Sequence, residues 1–240
     1  MHFVTHKSPQ VTSRALRHPA RGLTVAAMAA LGLALTLIVR LYDNTALPEH
    51  DRAAAIAVAS EILLASSIPT SWPDCQPPNP KPKIAGAFVC ERPLGPGEVA
   101  VRLVREPSRQ VEHQLITRPS SLATAHDLPL GYSLVDVKQG GGALATIYLD
   151  RVERIAADGG VDAGVILGRA IAHEIGHLLL GTTQHGQTGL MRAIWSRQTL
   201  EQNRPHDWLF TARESTGMRR ALARRLPVAQ TAENIVWGTK

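Results

Sequence analysis

The segment 172–191 contains side chains whose types and spacing suit a metal site. His173 and His177 stand four positions apart, and Glu174 directly follows the first histidine. On a helix, residues i and i+4 lie about 40° apart around the axis and one turn along it, so two imidazoles can reach one ion from the same side. Glu174 would then lie close enough to contact a metal-bound water without binding the metal itself.

This arrangement predicts hydrolytic chemistry. A zinc ion lowers the pKa of a bound water to about 7, and a neighbouring carboxylate can accept its proton as the water attacks a carbonyl carbon. The segment around the histidines is apolar, and two histidines and a glutamate on a buried helix are costly unless they have a partner. We therefore expect His173 and His177 to bind Zn²⁺ and Glu174 to act as the general base.

A catalytic zinc site needs a third protein ligand and one open position. His185 is the first candidate, because Gly181 can end the helix in a left-handed turn that brings the following residues back toward the metal. Met191 follows six residues later, where a turn could place it beneath the ligands as an apolar floor. A methionine at this position also suits ordinary core packing.

The stretch resembles the zincin metallopeptidases and, within them, the metzincins, whose pattern is HExxHxxGxxH followed by a methionine turn. Here the string reads HExxHxxxGxxxH, with the glycine one place later and the last histidine two places later. The run AHEIGHLLLG with the downstream histidine and GLMRAxW is also similar to uncharacterised exported bacterial proteins described as metallopeptidases. The resemblance covers about residues 165–195. It implies a zincin-like α+β domain with a small mixed sheet, an active-site helix and a peptide or protein substrate.

The same resemblance supplies further expectations. In gluzincins the third ligand is a glutamate on a later helix, so Glu201 is an alternative to His185, and His206 is another. Zincins also pair an extended substrate with an edge strand beside the active-site helix, and we expect segment 144–149 to be that edge. Tyr148 on this strand could donate to an oxyanion or could simply pack in the sheet.

The elements that must position these residues follow from apolar patterning. The strands predicted from alternating, β-rich segments are 35–42, 98–104 and 144–149, the last after a glycine triplet. The helices predicted from three- and four-residue apolar spacing and from a capping box at Thr211 and Glu214 are 50–66, 152–157, 161–180 and 211–225. This order of elements indicates a single α+β domain.

The amino terminus predicts export. Residues 1–21 are polar and basic, and 22–39 are almost wholly apolar, which is typical of a secretory signal or a membrane anchor. We expect residues 1–34 to be that segment, 35–225 to form the metallopeptidase domain and 226–240 to be a tail. The protein would then be secreted, periplasmic or anchored facing outside the cytoplasm, and an anchored form would be attached to the membrane through its N-terminal segment.

The two cysteines fit the same compartment. Cys75 and Cys90 stand 15 positions apart across a proline-rich loop, and the chain has no CxxC pair. In an exported protein we expect them to form a disulfide, which stabilises a loop of this size by about 3 kcal/mol. Two free buried thiols are the alternative.

Charge and composition argue against nucleic acid as a partner. The formal net charge is +6, but residues 1–34 contribute four basic and no acidic side chains, which leaves +2 for the remainder. Such a balance gives no basic footprint for DNA. With four Trp, three Tyr and three Phe, the chain also has few aromatic side chains on which single-stranded bases could stack.

One alternative function belongs to a different class. The chain could be an exported zinc-binding structural or interaction protein without catalytic activity, in which four protein ligands close the site and prevent hydrolysis. The intact Glu174 favours hydrolysis, because a closed structural site has no use for that carboxylate.

Overall fold

The computed structural model describes residues 36–75, 90–106 and 129–226. The expectations for the N-terminal segment 1–34, for the proline-rich loop after Cys75 and for the tail beyond residue 226 lie outside these ranges. The strands and helices in chain order are β1 (Leu37–Asp43), α1 (Glu49–Ala65), β2 (Thr70–Ser71), β3 (Glu98–Val104), β4 (Gly131–Asp136), β5 (Gly141–Tyr148), α2 (Leu149–Gly159), α3 (Ala163–Leu180), α4 (Arg197–Gln202) and α5 (Ala212–Arg225). A short 3₁₀ helix, Pro205–Trp208, lies between α4 and α5.

The strands form one mixed sheet in the order β2-β1-β3-β5-β4. The first four strands of this order are parallel, and β4 runs antiparallel to β5. With its helices, the described part of the chain has the mixed α+β architecture expected from the sequence. The strands and helices predicted from patterning are present, with shifts of a few residues at their ends.

The expectation that segment 144–149 is the edge strand is wrong. β5 spans most of that segment and is paired on both sides, with β3 and with β4. Among the described residues the edge strands are β2 and β4, and β4, which the sequence did not predict, is the one next to β5. It joins β5 through a hairpin whose turn includes Gly140 at φ +69°, a conformation that suits glycine.

Helix α3 lies against the inner face of the sheet and packs closely on α1. Gly164 and Gly168 form the contact: a Cβ on Gly168 would lie 2.6 Å from the main-chain oxygen of Ala55, and one on Gly164 would lie 2.8 Å from the Cβ of Ala54. These glycines therefore let the two helices approach. By length and composition α3 could cross a membrane, but 83% of it is buried inside the protein, as in a core helix.

The outer face of the sheet contains a buried ionic cluster. Arg40 on β1 is 1% exposed, and its guanidinium donates to the carboxylate of Glu98 on β3 and to the main-chain oxygen of Arg92. Arg92 and the Gly95 N–H donate to the same carboxylate. The cluster therefore ties segment 90–97 to the sheet.

A disulfide anchors the beginning of that segment. Cys75 and Cys90 are bonded, with their Cα atoms 5.4 Å apart, so the expected bridge is confirmed. Tyr42 on β1 also donates its hydroxyl to the main-chain oxygen of Cys90, 3.0 Å away. A disulfide is a feature of oxidising compartments and points weakly to a location outside the cytosol.

The buried cluster predicts a pH-dependent loss of stability on removing its acid. Burial raises the pKa of Glu98, but the bonds from Gly95, Arg92 and Arg40 outweigh that effect, and the net pKa is below its ordinary value. Glu98→Gln leaves Arg40 buried without a counter-charge, so we expect a loss of about 3–5 kcal/mol at neutral pH by denaturant unfolding. Because the pKa is lowered, the stabilisation is present above the ordinary carboxyl pKa and is lost as the pH falls.

The difference between wild type and Glu98→Gln should accordingly shrink in acid, where Glu98 itself is protonated. Glu153→Gln is the matched control, because Glu153 pairs with Arg105 on the surface and is 42% exposed. We expect that control to change stability by less than about 1 kcal/mol. An equal effect of the two substitutions would contradict the structural role of the cluster.

Candidate metal centre

Helix α3 carries two of the three clustered histidines, and both of its ends are well defined. The Asp162 side chain caps its N-terminus by accepting from the Val165 N–H at 3.1 Å. Gly181 ends it in the left-handed conformation, φ +66° and ψ +33°, as the sequence predicted. His173, Glu174 and His177 are all less than a tenth exposed.

The nitrogen atoms of three imidazoles converge at this site. His177 Nε2 lies 3.1 Å from His173 Nε2 and 3.3 Å from His185 Nε2. The ligand atoms of the three residues all lie within 4.8 Å of one another, an arrangement that could hold a metal ion. His185, the first candidate for a third ligand, is thus brought to the pair on α3.

Main-chain carbonyls determine which nitrogen of the two helix histidines carries the hydrogen. His173 Nδ1 lies 2.9 Å from the Leu190 oxygen, and His177 Nδ1 lies 2.8 Å from the Thr182 oxygen. A carbonyl only accepts, so each Nδ1–H donates, and each neutral ring then presents a bare lone pair at Nε2. The Nε2 atoms of His173 and His177 are 3.1 Å apart, and their lone pairs repel each other unless a cation lies between them.

The spacing also suits a tetrahedral ion. Two nitrogens each about 2.05 Å from a metal at the tetrahedral angle are about 3.3 Å apart, which is close to the two observed separations. Burial lowers the pKa of His173 to about 3, although the bond to Leu190 opposes the shift. Burial likewise lowers the pKa values of His177 and His185, so the rings are neutral near pH 7 and able to bind a cation.

The turn at Gly181 brings His185 to the cluster. A Cβ at this position would lie 2.3 Å from the carbonyl carbon of Gly140, so glycine is required both for the conformation and for contact with the β4–β5 turn. The reversed chain then places the Thr182 oxygen on His177, and His185 follows at the exposed rim.

Met191 packs against α3 at Gly176 and lies next to the loop that carries His185. It is 1% exposed, and a Cβ on Gly176 would lie 2.7 Å from its sulfur and 2.7 Å from the ring of Phe210. Its main-chain oxygen accepts from the Gly186 N–H at 2.8 Å, which closes the loop that carries His185. Met191 is therefore both a core residue and a support for this loop.

Glu174 shares a cavity with the three histidines. The cavity has a volume of about 230 Å³, and its wall includes apolar side chains such as Leu130, Ile155 and Trp195. Burial raises the pKa of Glu174 to about 7, although a hydrogen bond from Ser133 opposes the shift. The cavity thus places an acid–base group next to a candidate metal site.

The other sequence candidates lie elsewhere. Glu201 is 53% exposed and accepts from Arg197 at 2.7 Å, one helical turn away. His206 is 74% exposed on the 3₁₀ helix. Tyr148 lies under the guanidinium of Arg151, 4.0 Å from the ring centre, and is not among the cavity residues.

Two site residues on β4 were not predicted from the sequence. Ser133 donates to the Glu174 carboxylate at 2.7 Å, and a Cβ on Gly131 would lie 3.3 Å from the other carboxylate oxygen. In the sequence, polar Ser133 between Tyr132 and Leu134 forms a short alternation that could have indicated a strand. Nothing in the local sequence indicates that this strand faces Glu174.

Comparisons with known proteins assign no chemistry to this site. No protein-family model and no curated protein matches the chain. The inferences about this site therefore depend on its geometry alone. It consists of three convergent imidazole nitrogens, one buried carboxylate and an adjoining cavity.

The cluster predicts that metal affinity depends on His185. We expect His185→Ala to weaken binding of Zn²⁺, used as the probe ion, by at least about 100-fold, because one of three ligands is lost. Competition with a chromogenic chelator measures the affinity. His206→Ala is the control and should bind as wild type does. Unchanged affinity in His185→Ala would remove His185 from the site.

The left-handed turn makes a second prediction. Gly181→Ala introduces both the strain of a positive φ and the contact with Gly140, so we expect lower stability and weaker Zn²⁺ binding together. Gly160→Ala is the matched control, because Gly160 has φ +62° with nothing within 4 Å of its Cβ position. That control should cost about 1–2 kcal/mol and leave Zn²⁺ affinity unchanged. Equal Zn²⁺ affinity in both variants would contradict the proposed importance of the turn.

Proposed function

We propose that the protein is a zinc-dependent metallopeptidase of the zincin type. His173, His177 and His185 would bind the zinc, and Glu174 would be the general base. The observation that carries this proposal is the convergence of three imidazole nitrogens beside a buried carboxylate in one cavity. The metzincin-like sequence pattern described above agrees with the same residue roles.

Zinc is the metal that suits this donor set best. Three neutral imidazoles are typical of catalytic zinc sites, which keep their fourth position open. Within the described residues, no fourth histidine, cysteine, aspartate or glutamate belongs to the cluster. This supports a hydrolytic site over the alternative of a closed structural one, in which four protein ligands would surround the ion.

The chemistry of the site would be hydrolysis of a peptide bond. A bound zinc ion would act as a Lewis acid and lower the pKa of a water at its open position to about 7. Glu174 would accept a proton from a water in the cavity as the oxygen of that water attacks the carbonyl carbon of the peptide. The bond from that carbon to the amide nitrogen breaks, and Glu174 returns the proton to the departing nitrogen. The products are a carboxylic acid and an amine.

The edge strand β4 supports an extended peptide as substrate. In the described part of the chain, β4 is paired on one side only, with β5. A groove along residues 133–138 follows this strand and shares Ser133, Val135 and Thr183 with the histidine cavity. A peptide added to β4 as a further strand would gain main-chain hydrogen bonds and pass the site.

The location is proposed to be outside the cytoplasm. The basic and apolar segment 1–34 has the composition of a signal or anchor, and the disulfide between Cys75 and Cys90 agrees with an oxidising compartment. The catalytic domain would then be residues 35–225.

The role of Glu174 gives the sharpest test of hydrolysis. Glu174→Gln keeps the size of the side chain and one acceptor oxygen for Ser133 but cannot accept the proton, so we expect the rate to fall by about 10²–10⁴-fold. Cleavage of fluorescein-labelled casein and zinc content are measured on the same samples. Both proteins should hold one zinc ion per chain. A zinc-loaded wild type that cleaves neither casein nor a mixed peptide library would contradict the proposal, as would full activity in Glu174→Gln.

A further inference from the structure

The hydroxyl of Ser133 is the one hydrogen-bond donor that the described residues bring to the Glu174 carboxylate. Ser133 Oγ lies 2.7 Å from Glu174 Oε2 and 2.9 Å from the main-chain oxygen of the same residue. We propose that Ser133 is a positioning residue that holds Glu174 in the orientation needed for proton transfer. This inference rests on the proposed peptidase function and adds to it a residue outside the histidine motif.

Ser133 is well placed to fix a longer side chain. Its backbone is held in the sheet, where it pairs with Ala145 of β5. A serine hydroxyl turns about a single side-chain torsion, whereas the Glu174 carboxylate follows three torsions. The hydroxyl's one hydrogen is shared between Glu174 Oε2 and the Glu174 main-chain oxygen, which belongs to α3, the helix that carries His173 and His177. The carboxylate is therefore held relative to both the sheet and the histidines.

Gly131 leaves room for the second carboxylate oxygen. It lies two positions before Ser133 and so on the same face of β4. A Cβ there would lie 3.3 Å from Glu174 Oε1, closer than side-chain atoms usually approach, and 2.5 Å from the main-chain oxygen of Thr146. Oε1 has no hydrogen-bond partner among the described residues, which leaves it available to a water in the cavity.

The hydroxyl can keep its contact through the reaction. It donates to an ionised carboxylate and can accept from a protonated one, because a hydroxyl has one hydrogen and two lone pairs. Glu174 would thus remain in place after it takes the proton from water. Since Ser133 also lies on the strand proposed to bind substrate, it joins the peptide-binding edge to the general base.

The test compares Ser133→Ala with Ser133→Thr and with a control elsewhere. Ser215→Ala is the matched control, because Ser215 is a buried serine whose hydroxyl contacts Ser66 at 2.9 Å, away from the cavity. The probe is a quenched fluorescent peptide built on a casein sequence that the wild type cleaves. Zinc content is measured for every variant.

We expect Ser133→Ala to lower kcat by about 10–100-fold, because a misplaced catalytic group costs rate rather than binding. KM should stay within about twofold of wild type, with one zinc per chain. Ser133→Thr, which keeps the hydroxyl, should restore most of kcat, and Ser215→Ala should have wild-type kcat. Unchanged kcat in Ser133→Ala would overturn the proposal, as would loss of zinc in that variant or a threonine variant as slow as the alanine one.

A second measurement tests the contact without using activity. If the two side chains are bonded, the Tm loss caused by Ser133→Ala will be smaller in a Glu174→Ala background than in wild type. The loss caused by Ser215→Ala should be the same in both backgrounds. Additive Tm losses for Ser133 and Glu174 would overturn the contact. An inactive zinc-loaded wild type would instead contradict the proposed hydrolysis, which distinguishes the two failures.

Discussion

The hydrogen bonds from two imidazole Nδ1 atoms to main-chain carbonyls are the interactions on which the site depends. They leave the Nε2 lone pairs of His173 and His177 directed into the cluster, where His185 Nε2 lies 3.3 Å from His177 Nε2. Both carbonyls belong to the segment after Gly181, which also carries the third histidine. One left-handed turn therefore provides a candidate ligand and orients the two others, in the way that outer-shell carbonyls orient metal-binding histidines.

Burial of α3 is the second requirement, and it has an electrostatic consequence. Residues of β4, of α2 and of the loop after α3 enclose the histidines, and burial lowers the pKa values of His173 and His177. The same enclosure raises the pKa of Glu174 toward 7. A low-dielectric pocket thus keeps the imidazoles neutral for a cation and brings the carboxyl group close to the range of an acid–base catalyst.

The features that the sequence predicted are those encoded locally. The spacing of His173 and His177, the helix end at Gly181 and the capping box at Thr211 depend on neighbours within one or two turns, and all are present. The edge strand β4 depends on pairing with β5, and its contact with Glu174 spans 41 residues. Six residues of modest β-propensity give no local signal for that contact. The role of Ser133 beside Glu174 is therefore visible only in the three-dimensional structure.

The most direct test of the account is X-ray absorption at the zinc edge on the zinc-loaded protein. We expect three imidazole ligands and one further oxygen or nitrogen scatterer from solvent, all at about 2.0–2.1 Å from the zinc. The solvent ligand should be replaced when a small anion such as azide is added, while the imidazole signal stays unchanged. A first shell of four protein ligands that azide does not alter, or fewer than three imidazoles, would contradict an open three-histidine centre.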